Sequence, residues 1–381
     1  MKVALLGTGF VADYYITTLV NHPQVELAGA FDIDSERLRQ FCDYYRVRPY
    51  ADLDALLTDP EPEIVVNLTP PELHYELSFR ALRHGKHVYC EKPLAMRFEE
   101  AKELVEFASE RNLTLAGAPA NALSAACRLA AETISSGKIG KPRLVYAEME
   151  DGPVFRGKWQ TWRSRSGAKW PGLHEFEVGC TLEHAGYALS WLTTLFGPVE
   201  KLTAFSALTF PAKGPGTDKV MLGPDFSVGC LVFRSGVVAR LTSGLAAPRD
   251  RSLTVLGDEG TLTVGDLWDH RSAIFLEPAE GARKVSVRLA DRFEGWLGKA
   301  LPWKPAPGRR LAYPADAAKP VLPSFPSQID FAAGIAAQVD AIRAGRQPEF
   351  GGSRALHVTE LALALNNARD LEQPYVMKSS F

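Results

Sequence analysis

Up to about residue 120, short apolar runs alternate with longer stretches of helical periodicity. The runs Lys2–Leu6, Val25–Phe31, Ile64–Leu68, His87–Cys90 and Leu113–Ala116 read as strands. Between them, Phe10–Val20, Ser35–Tyr45, Glu72–His84 and Phe98–Asn112 read as helices, the last two with apolar residues spaced three and four apart. Strands that alternate with helices predict parallel β-α units and a doubly wound parallel sheet. After Ala122 one more helical stretch ends at Gly137, and the texture changes to alternating β-type segments: Arg143–Met149, Val199–Leu208, Ser227–Phe233, Val237–Ser243, Ser252–Leu256 and Thr261–Val264. Turn signals such as Arg234-Ser235-Gly236 and Gly257-Asp258-Glu259-Gly260 join several of them directly, which predicts a large, mostly antiparallel open sheet in an α+β domain. The Pro-rich stretch Pro302–Pro326 reads as an extended surface excursion, followed by helices over Ile329–Ala344 and Ala355–Leu371. The expected division is residues 1–121 and residues 122–381.

Composition narrows the functional classes. Lys plus Arg is 43 against 45 Asp plus Glu, so no positive excess favours a nucleic-acid backbone or an acidic membrane surface. Hydrophobic residues at 46% and charged residues at 23% fit a globular enzyme and exclude a disordered or fibrous chain. Cys42, Cys90, Cys127, Cys180 and Cys230 are scattered, without a C-x-x-C pair, so their spacing gives neither a disulfide framework nor a metal site. The N-terminus runs directly into a glycine turn and reads as a strand, and no apolar run approaches the ~18–20 residues that span a bilayer. The expectation is a cytoplasmic protein with no membrane or nucleic-acid partner.

Chemistry enters at Gly7-Thr8-Gly9-Phe10-Val11-Ala12, a G-x-G-x-x-A turn between the first strand and first helix. Gly7 permits the tight turn, Gly9 leaves room for a pyrophosphate, and Ala12 lets the helix pack on the sheet, while the helix N-terminus offers N–H groups to phosphate. The second strand ends in Asp32, where a carboxylate can accept hydrogen bonds from a ribose 2′-hydroxyl and repel a 2′-phosphate. NAD is therefore expected ahead of NADP. Arg37 could turn toward a 2′-phosphate, although a solvated residue on the Ser35–Tyr45 helix is its plainer reading.

Two further motifs follow strand ends: Thr69-Pro70-Pro71-Glu72-Leu73-His74 and Glu91-Lys92-Pro93. With the glycine turn, they give an ordered set that resembles the glucose-fructose oxidoreductase, inositol dehydrogenase and rhizopine-catabolism (Gfo/Idh/MocA) family. The resemblance spans nearly the whole chain and includes Gly257-Asp258-Glu259-Gly260-Thr261-Leu262 and the closing Asp330-Phe331 helix. It implies an N-terminal Rossmann domain and a substrate-binding, oligomerising C-terminal domain. It also implies that Lys92 contacts nicotinamide ribose and substrate, that Pro93 follows a cis peptide, and that Thr69, Pro70 and His74 line the nicotinamide side. An ammonium at the C-terminal end of a parallel strand can stabilise a reacting oxygen and move its proton. Asn67 and Glu91 stand beside the same cleft; the Asn67 amide could bond ligand or backbone, and His74 could equally serve packing or capping.

The second domain departs from the family pattern of an Asp followed four residues later by His or Tyr. Counting back from Gly197-Pro198-Val199 assigns Glu183 and Tyr187 to those positions, whereas anchoring on Trp191 assigns Cys180 and His184. Glu183 and Tyr187 are preferred, with His184 kept as a proton-relay candidate and Cys180 read as a small packing residue. Upstream, the aromatic and basic loop 159–170 contains Trp162, Arg163, Arg165 and Lys169 and reads either as substrate recognition or as a pinned surface loop. Asn121 lies where the family commonly carries an Arg-Phe pair, so its place as a substrate ligand stays open.

The leading expectation is an NAD(P)-dependent oxidoreductase acting on a secondary alcohol or carbonyl of a sugar, nucleotide sugar or cyclitol. A dinucleotide-binding regulator that has lost the reaction and a glycosidase-like relative using transient NAD oxidation are the alternatives. The apolar alternation over Ser227–Ser243 suits a dimer or tetramer formed through the C-terminal sheet.

Overall fold

The computed structural model describes residues 1–279, 285–297, 308–314, 319–324 and 327–381. Its first layer is a parallel sheet of β1 (Lys2–Leu6), β2 (Glu26–Phe31), β3 (Ile64–Asn67), β4 (His87–Cys90) and β5 (Leu115–Gly117), in the order β2-β1-β3-β4-β5. The apolar runs form these strands because both faces are covered: β3 is buried along its whole length. The covering helices are α1 (Ala12–Leu19), α2 (Ser35–Tyr45), α3 (Leu53–Thr58), α4 (His74–Arg83) and α5 (Phe98–Glu110). Helix α3, six residues long and capped by the Asp52 side chain, is too short to show a period in sequence. Because β2 and β3 flank β1 on opposite sides, the winding reverses there, and that reversal opens a crevice at the strands' C-terminal ends.

After α6 (Ala125–Ser135), strand β6 (Pro142–Glu150) starts a second sheet. Its other strands are β7 (Val199–Ala207), β8 (Phe226–Phe233), β9 (Val238–Gly244), β10 (Leu253–Gly257), β11 (Gly260–Val264), β12 (Ile274–Pro278), β13 (Arg309–Arg310) and β14 (Tyr375–Val376). The order is β13-β12-β11-β10-β6-β9-β8-β7-β14, antiparallel throughout except for the parallel β6–β9 pair. Before the sheet's second strand come α7 (Gly172–Val178), a π turn at Thr181–Ala185 and α8 (Gly186–Phe196); α9 (Val285–Leu297), α10 (Ala333–Arg343) and α11 (Gly352–Asn366) follow β12. Helices α8 and α11 are buried along most of their length. The two closing helices return to the first sheet: Gln338 on α10 donates to the Val88 carbonyl at 3.0 Å, and Ala355 on α11 packs against Gly117. One continuous core therefore includes Val3 and Leu5 together with Ile335 and Val339.

Residues 302–307, 315–318 and 325–326 of the Pro302–Pro326 stretch lie outside the described residues. Of the rest, Arg309–Arg310 joins the sheet beside β12, and Val321 exchanges hydrogen bonds with the Asn21 side chain, so these parts are tied to the body rather than running free. Among the described residues, no helix is long and apolar enough to cross a membrane.

Candidate active site

A cleft of about 1740 Å³ runs from Asp32 and Arg37 to Glu175, His184 and Trp268, between the first sheet's strand ends and the segments that surround the second sheet. Ordinary small-molecule pockets occupy ~300–1000 Å³, so this one has room for a dinucleotide and a second molecule. At its cofactor end Gly7 has φ +101°, and a Cβ there would sit 2.9 Å from the carbonyl carbon and oxygen of Leu68. Gly9 is different: its Cβ would meet nothing within 4 Å, because that face opens into the cleft alongside Phe10 and Val11. Ala12 is fully buried against the sheet. This is the cradle that a pyrophosphate requires.

Asp32 is fixed by the Thr8 backbone N–H (2.7 Å) and hydroxyl (3.0 Å) and by the Asp34 N–H (2.9 Å). Arg37 grips the same carboxylate through Nε at 2.9 Å and Nη2 at 2.6 Å. Burial alone would push the Asp32 carboxyl up, but Arg37 and these N–H groups hold it below the usual carboxylate range. Arg37 sits on the Ser35–Tyr45 helix with its side chain 38% exposed, as its plainer reading expects, and it also closes a two-pronged ion pair on the cleft wall. The corner thus offers an acceptor for a ribose hydroxyl and a cation beside it.

Thr69 and Pro70 line the next part of the cleft. Asn67 is fully buried, receives the Thr69 hydroxyl on its amide oxygen at 2.6 Å, and donates to Ser78 Oγ at 3.0 Å, so it shapes the loop from inside. His74 places Nδ1 2.6 Å from the Pro93 carbonyl and Nε2 2.8 Å from the Thr69 carbonyl. Burial opposes its charge, yet Cys90 and these two acceptors outweigh it and raise the imidazole to about 9. With both nitrogens donating, His74 clasps the T-P loop to the E-K-P turn and is committed to positioning. Glu91 accepts from the Tyr15 hydroxyl at 2.7 Å and from the Lys92 N–H at 3.1 Å, and the Lys92–Pro93 peptide is cis.

Lys92 Nζ lies 2.5 Å from Glu183 Oε2, and both side chains are largely buried. Desolvation works against the ammonium, but Glu183, Glu91 and Glu175 keep the Lys92 pKa above its ordinary value. Burial likewise works against the Glu183 carboxylate, and Lys92 holds it below the usual range. The neighbouring His184 sets Nδ1 2.7 Å from Asp151 Oδ2, and Asp151 outweighs burial to raise the imidazole pKa above its ordinary value. Tyr187 lines the cleft with its ring 4.7 Å from that of Trp268, and burial, reinforced by surrounding carboxylates, keeps its phenol neutral.

The two sequence registers, anchored on Gly197-Pro198-Val199 and on Trp191, meet here at a π turn over Thr181–Ala185. The π turn adds a residue to a turn just before α8, so Glu183, His184 and Tyr187 all reach the same cleft. Cys180 points elsewhere, fully buried beside Thr181 and Ser243. Asn121 also faces inward: its amide donates to the carbonyls of Tyr187 and Leu267, so it supports the site's scaffold and does not line the cleft.

Loop 159–170 does line the cleft through Trp162, Arg163, Arg165 and Lys169. Its anchor is the cofactor domain: the Ser166 N–H and hydroxyl each donate to Asp13 on α1 at 2.8 Å, and Gly167 approaches Gln40 on α2. The loop is therefore held against α1 and α2 while Arg163, Arg165 and Lys169 line the cleft. Sequence reading missed Asp151, Glu175 and Trp268. Burial and the neighbouring Glu183 push the Glu175 carboxyl up to about 7. Among the described residues, no cluster of three or more His, Cys, Asp or Glu side chains is arranged to hold a metal ion.

Known proteins place this architecture. A family described as "Oxidoreductase family, NAD-binding Rossmann fold" matches residues 1–117, and "GFO/IDH/MocA C-terminal domain" matches residues 127–263. An uncharacterized oxidoreductase of Synechocystis sp. is 27% identical over 276 residues, covering 70% of this chain and 71% of the relative. The 1,5-anhydro-D-fructose reductase of Ensifer adhaerens is 26% identical over 298 residues, covering 76% and 84%. Among solved structures, aldose-aldose oxidoreductase from Caulobacter crescentus shares the fold with TM-score 0.72 at 21% identity, covering 97% of each chain. The WlbA dehydrogenase from Bordetella pertussis, in complex with NADH and UDP-GlcNAcA, does so with TM-score 0.70 at 22% identity, covering 97% of this chain and 96% of that one. On these two matches, which together cover the first sheet and strands β6–β10 of the second, the chain belongs to the Gfo/Idh/MocA oxidoreductase family.

Proposed function

We propose that the protein moves a hydride between NAD and a secondary alcohol or carbonyl of a sugar, nucleotide sugar or cyclitol. The carrying observation is the buried Lys92–Glu183 pair, set in the same cleft as the Gly9 cradle and the Asp32 corner. Bound nicotinamide supplies the hydride acceptor or donor. The chain's own residues do the rest: Lys92 donates to the reacting oxygen, Glu183 orients that ammonium, and the neutral Tyr187 phenol offers a second donor. Trp268 presents an aromatic wall beside Tyr187 that suits the apolar face of a sugar ring. The sugar-directed names of the reductase and dehydrogenase relatives support the substrate class. The intact proton-transfer cluster favours an enzyme over a regulator that has lost the reaction. Turnover of a panel of sugars, nucleotide sugars and cyclitols, followed by nicotinamide reduction at about 340 nm, tests this reading; saturable NAD binding without turnover of any panel member would defeat it.

For the cofactor, we favour NAD because Asp32 keeps its charge at the ribose corner. Bare repulsion of a 2′-phosphate at 4 Å is about 4 kcal/mol at an effective dielectric of 20, and Arg37 offsets part of it. Exchanging Asp32 for Ser removes the acid and frees Arg37 for a phosphate. The NAD:NADP ratio of kcat/KM is expected to fall at least ~10-fold, equivalent to about 1.4 kcal/mol. Unchanged selectivity in Asp32→Ser would remove this assignment.

Assembly follows from the second sheet's open face, where Leu144, Tyr146, Val228, Val232 and Val238 remain half-buried or exposed. We read it as a homo-oligomer interface.

A further inference from the structure

We propose that Glu175 holds the reaction proton, taking it up as the alcohol is oxidised and returning it as the carbonyl is reduced. This rests on the hydride-transfer reading above. Glu175 sits on α7, lines the cleft, and places Oε2 3.8 Å from His184 Nε2. Lys92, Asp151, Glu183 and Tyr187 face it from the surrounding elements, with Tyr14 on α1 also within its electrostatic reach.

The need for such a group comes from the charge states of its neighbours. Oxidation sends the C–H bond's electron pair to oxidised nicotinamide as hydride and forms the C=O bond from the O–H electron pair. The hydroxyl proton then requires an acceptor. Lys92 is already an ammonium and can accept that proton only while giving up one of its own. Asp151 raises the His184 pKa against burial and so disfavours the neutral, accepting form of its imidazole, Tyr187 is a neutral phenol, and Glu183 is held anionic by direct contact with Lys92. Glu175 makes the longer, 3.8 Å contact to His184 and has a proton affinity suited to exchange near neutrality. The proton passes from the hydroxyl to Lys92 as Lys92 releases one into the carboxylate cluster, where it comes to rest on Glu175. Nothing else is consumed: the alcohol is oxidised by two electrons and nicotinamide is reduced by two.

The sign of the pH dependence follows. Oxidation needs Glu175 ionised, so its rate rises as pH increases through about 7 and then levels. Reduction needs the protonated acid, so its rate falls across the same interval. Glu175→Gln is expected to flatten both limbs and slow oxidation at least ~10-fold on the alkaline plateau, while Glu175→Asp restores the limb in part. Because burial also pushes Glu150 up to about 7, the infrared readout is the difference between NAD-saturated wild type and folded Glu175→Gln, which should contain a buried carboxylic-acid band that disappears between about pH 6 and 8. A difference spectrum without that band, read without any substrate, overturns the assignment. Turnover by the wild type with an unchanged limb in Glu175→Gln would overturn this inference alone. Failure of the wild type to oxidise any alcohol on the panel would overturn the hydride-transfer reading and this inference with it.

Discussion

Lys92→Met is expected to bind NAD with affinity close to that of the wild type and to lose turnover by ~10²–10⁴-fold, the range that removal of a positioned acid-base group produces. This corresponds to about 2.7–5.5 kcal/mol of transition-state stabilisation. The change removes the donor to the reacting oxygen and leaves Glu183 buried beside an apolar side chain. Without Lys92, the chief influence holding the Glu183 carboxyl down is gone, so burial should favour its protonated form. Methionine fills most of the lysine stem's volume, and the cradle at Gly9 and the corner at Asp32 are untouched. Isothermal titration with NAD alongside steady-state rates separates the two effects. Lys92→Arg is expected to recover little, because a planar guanidinium cannot take the place of a compact ammonium 2.5 Å from Glu183. Normal turnover in Lys92→Met would end the assignment of chemistry to this turn.

The second large effect is a contrast between two glycines only two residues apart. Gly7→Ala should destabilise the fold: φ +101° is strained for any side chain, and the new Cβ would stand 2.9 Å from the Leu68 backbone. Backbone strain of ~1–3 kcal/mol and overpacking of ~1–3 kcal/mol predict a clearly lowered melting temperature. Gly9→Val should melt close to the wild type, since a Cβ there meets no protein atom within 4 Å, yet its side chain would fill the space reserved for the pyrophosphate. At least ~100-fold weaker NAD binding is expected, or about 2.7 kcal/mol. Thermal melts and NAD titrations of the two variants check the contrast; tight binding by Gly9→Val would show that the dinucleotide does not lie on this turn.

The parallel layer was highly legible because its signals are local. The runs Lys2–Leu6 and His87–Cys90 match β1 and β4 end to end, and the glycine turn, Asp32 and the E-K-P turn occupy strand ends where winding puts ligands. The resemblance extended that reading to the second sheet, including the β10–β11 turn at Gly257–Gly260. Legibility fell where geometry depends on distant partners. Strands β13 and β14 are two residues each and gain their identity from pairing with β12 and β7, which no local pattern records. Two anchors gave two registers for the Glu183–Tyr187 segment, and the preferred pair and His184 all line the cleft beside a π turn that no local pattern records. Asn67 and Asn121 carry ligand-like amides, but their direction was set by Ser78, Tyr187 and Leu267. Asp151 and Glu175 have no fixed spacing from Lys92, and share its cleft because a loop end and a short helix converge there.

Hydride transfer at the Lys92 end of the cleft is most directly tested by following deuterium. The protein is incubated with NAD and the sugar, nucleotide-sugar and cyclitol panel carrying deuterium on the carbinol carbons, and the nicotinamide is examined by mass spectrometry. The account predicts that wild type moves one deuterium from a panel member to the nicotinamide and that Lys92→Met, with NAD bound, moves it at least ~10²-fold more slowly. Nicotinamide that stays unlabelled across the panel at saturating NAD, or label that appears equally fast with Lys92→Met, would contradict it.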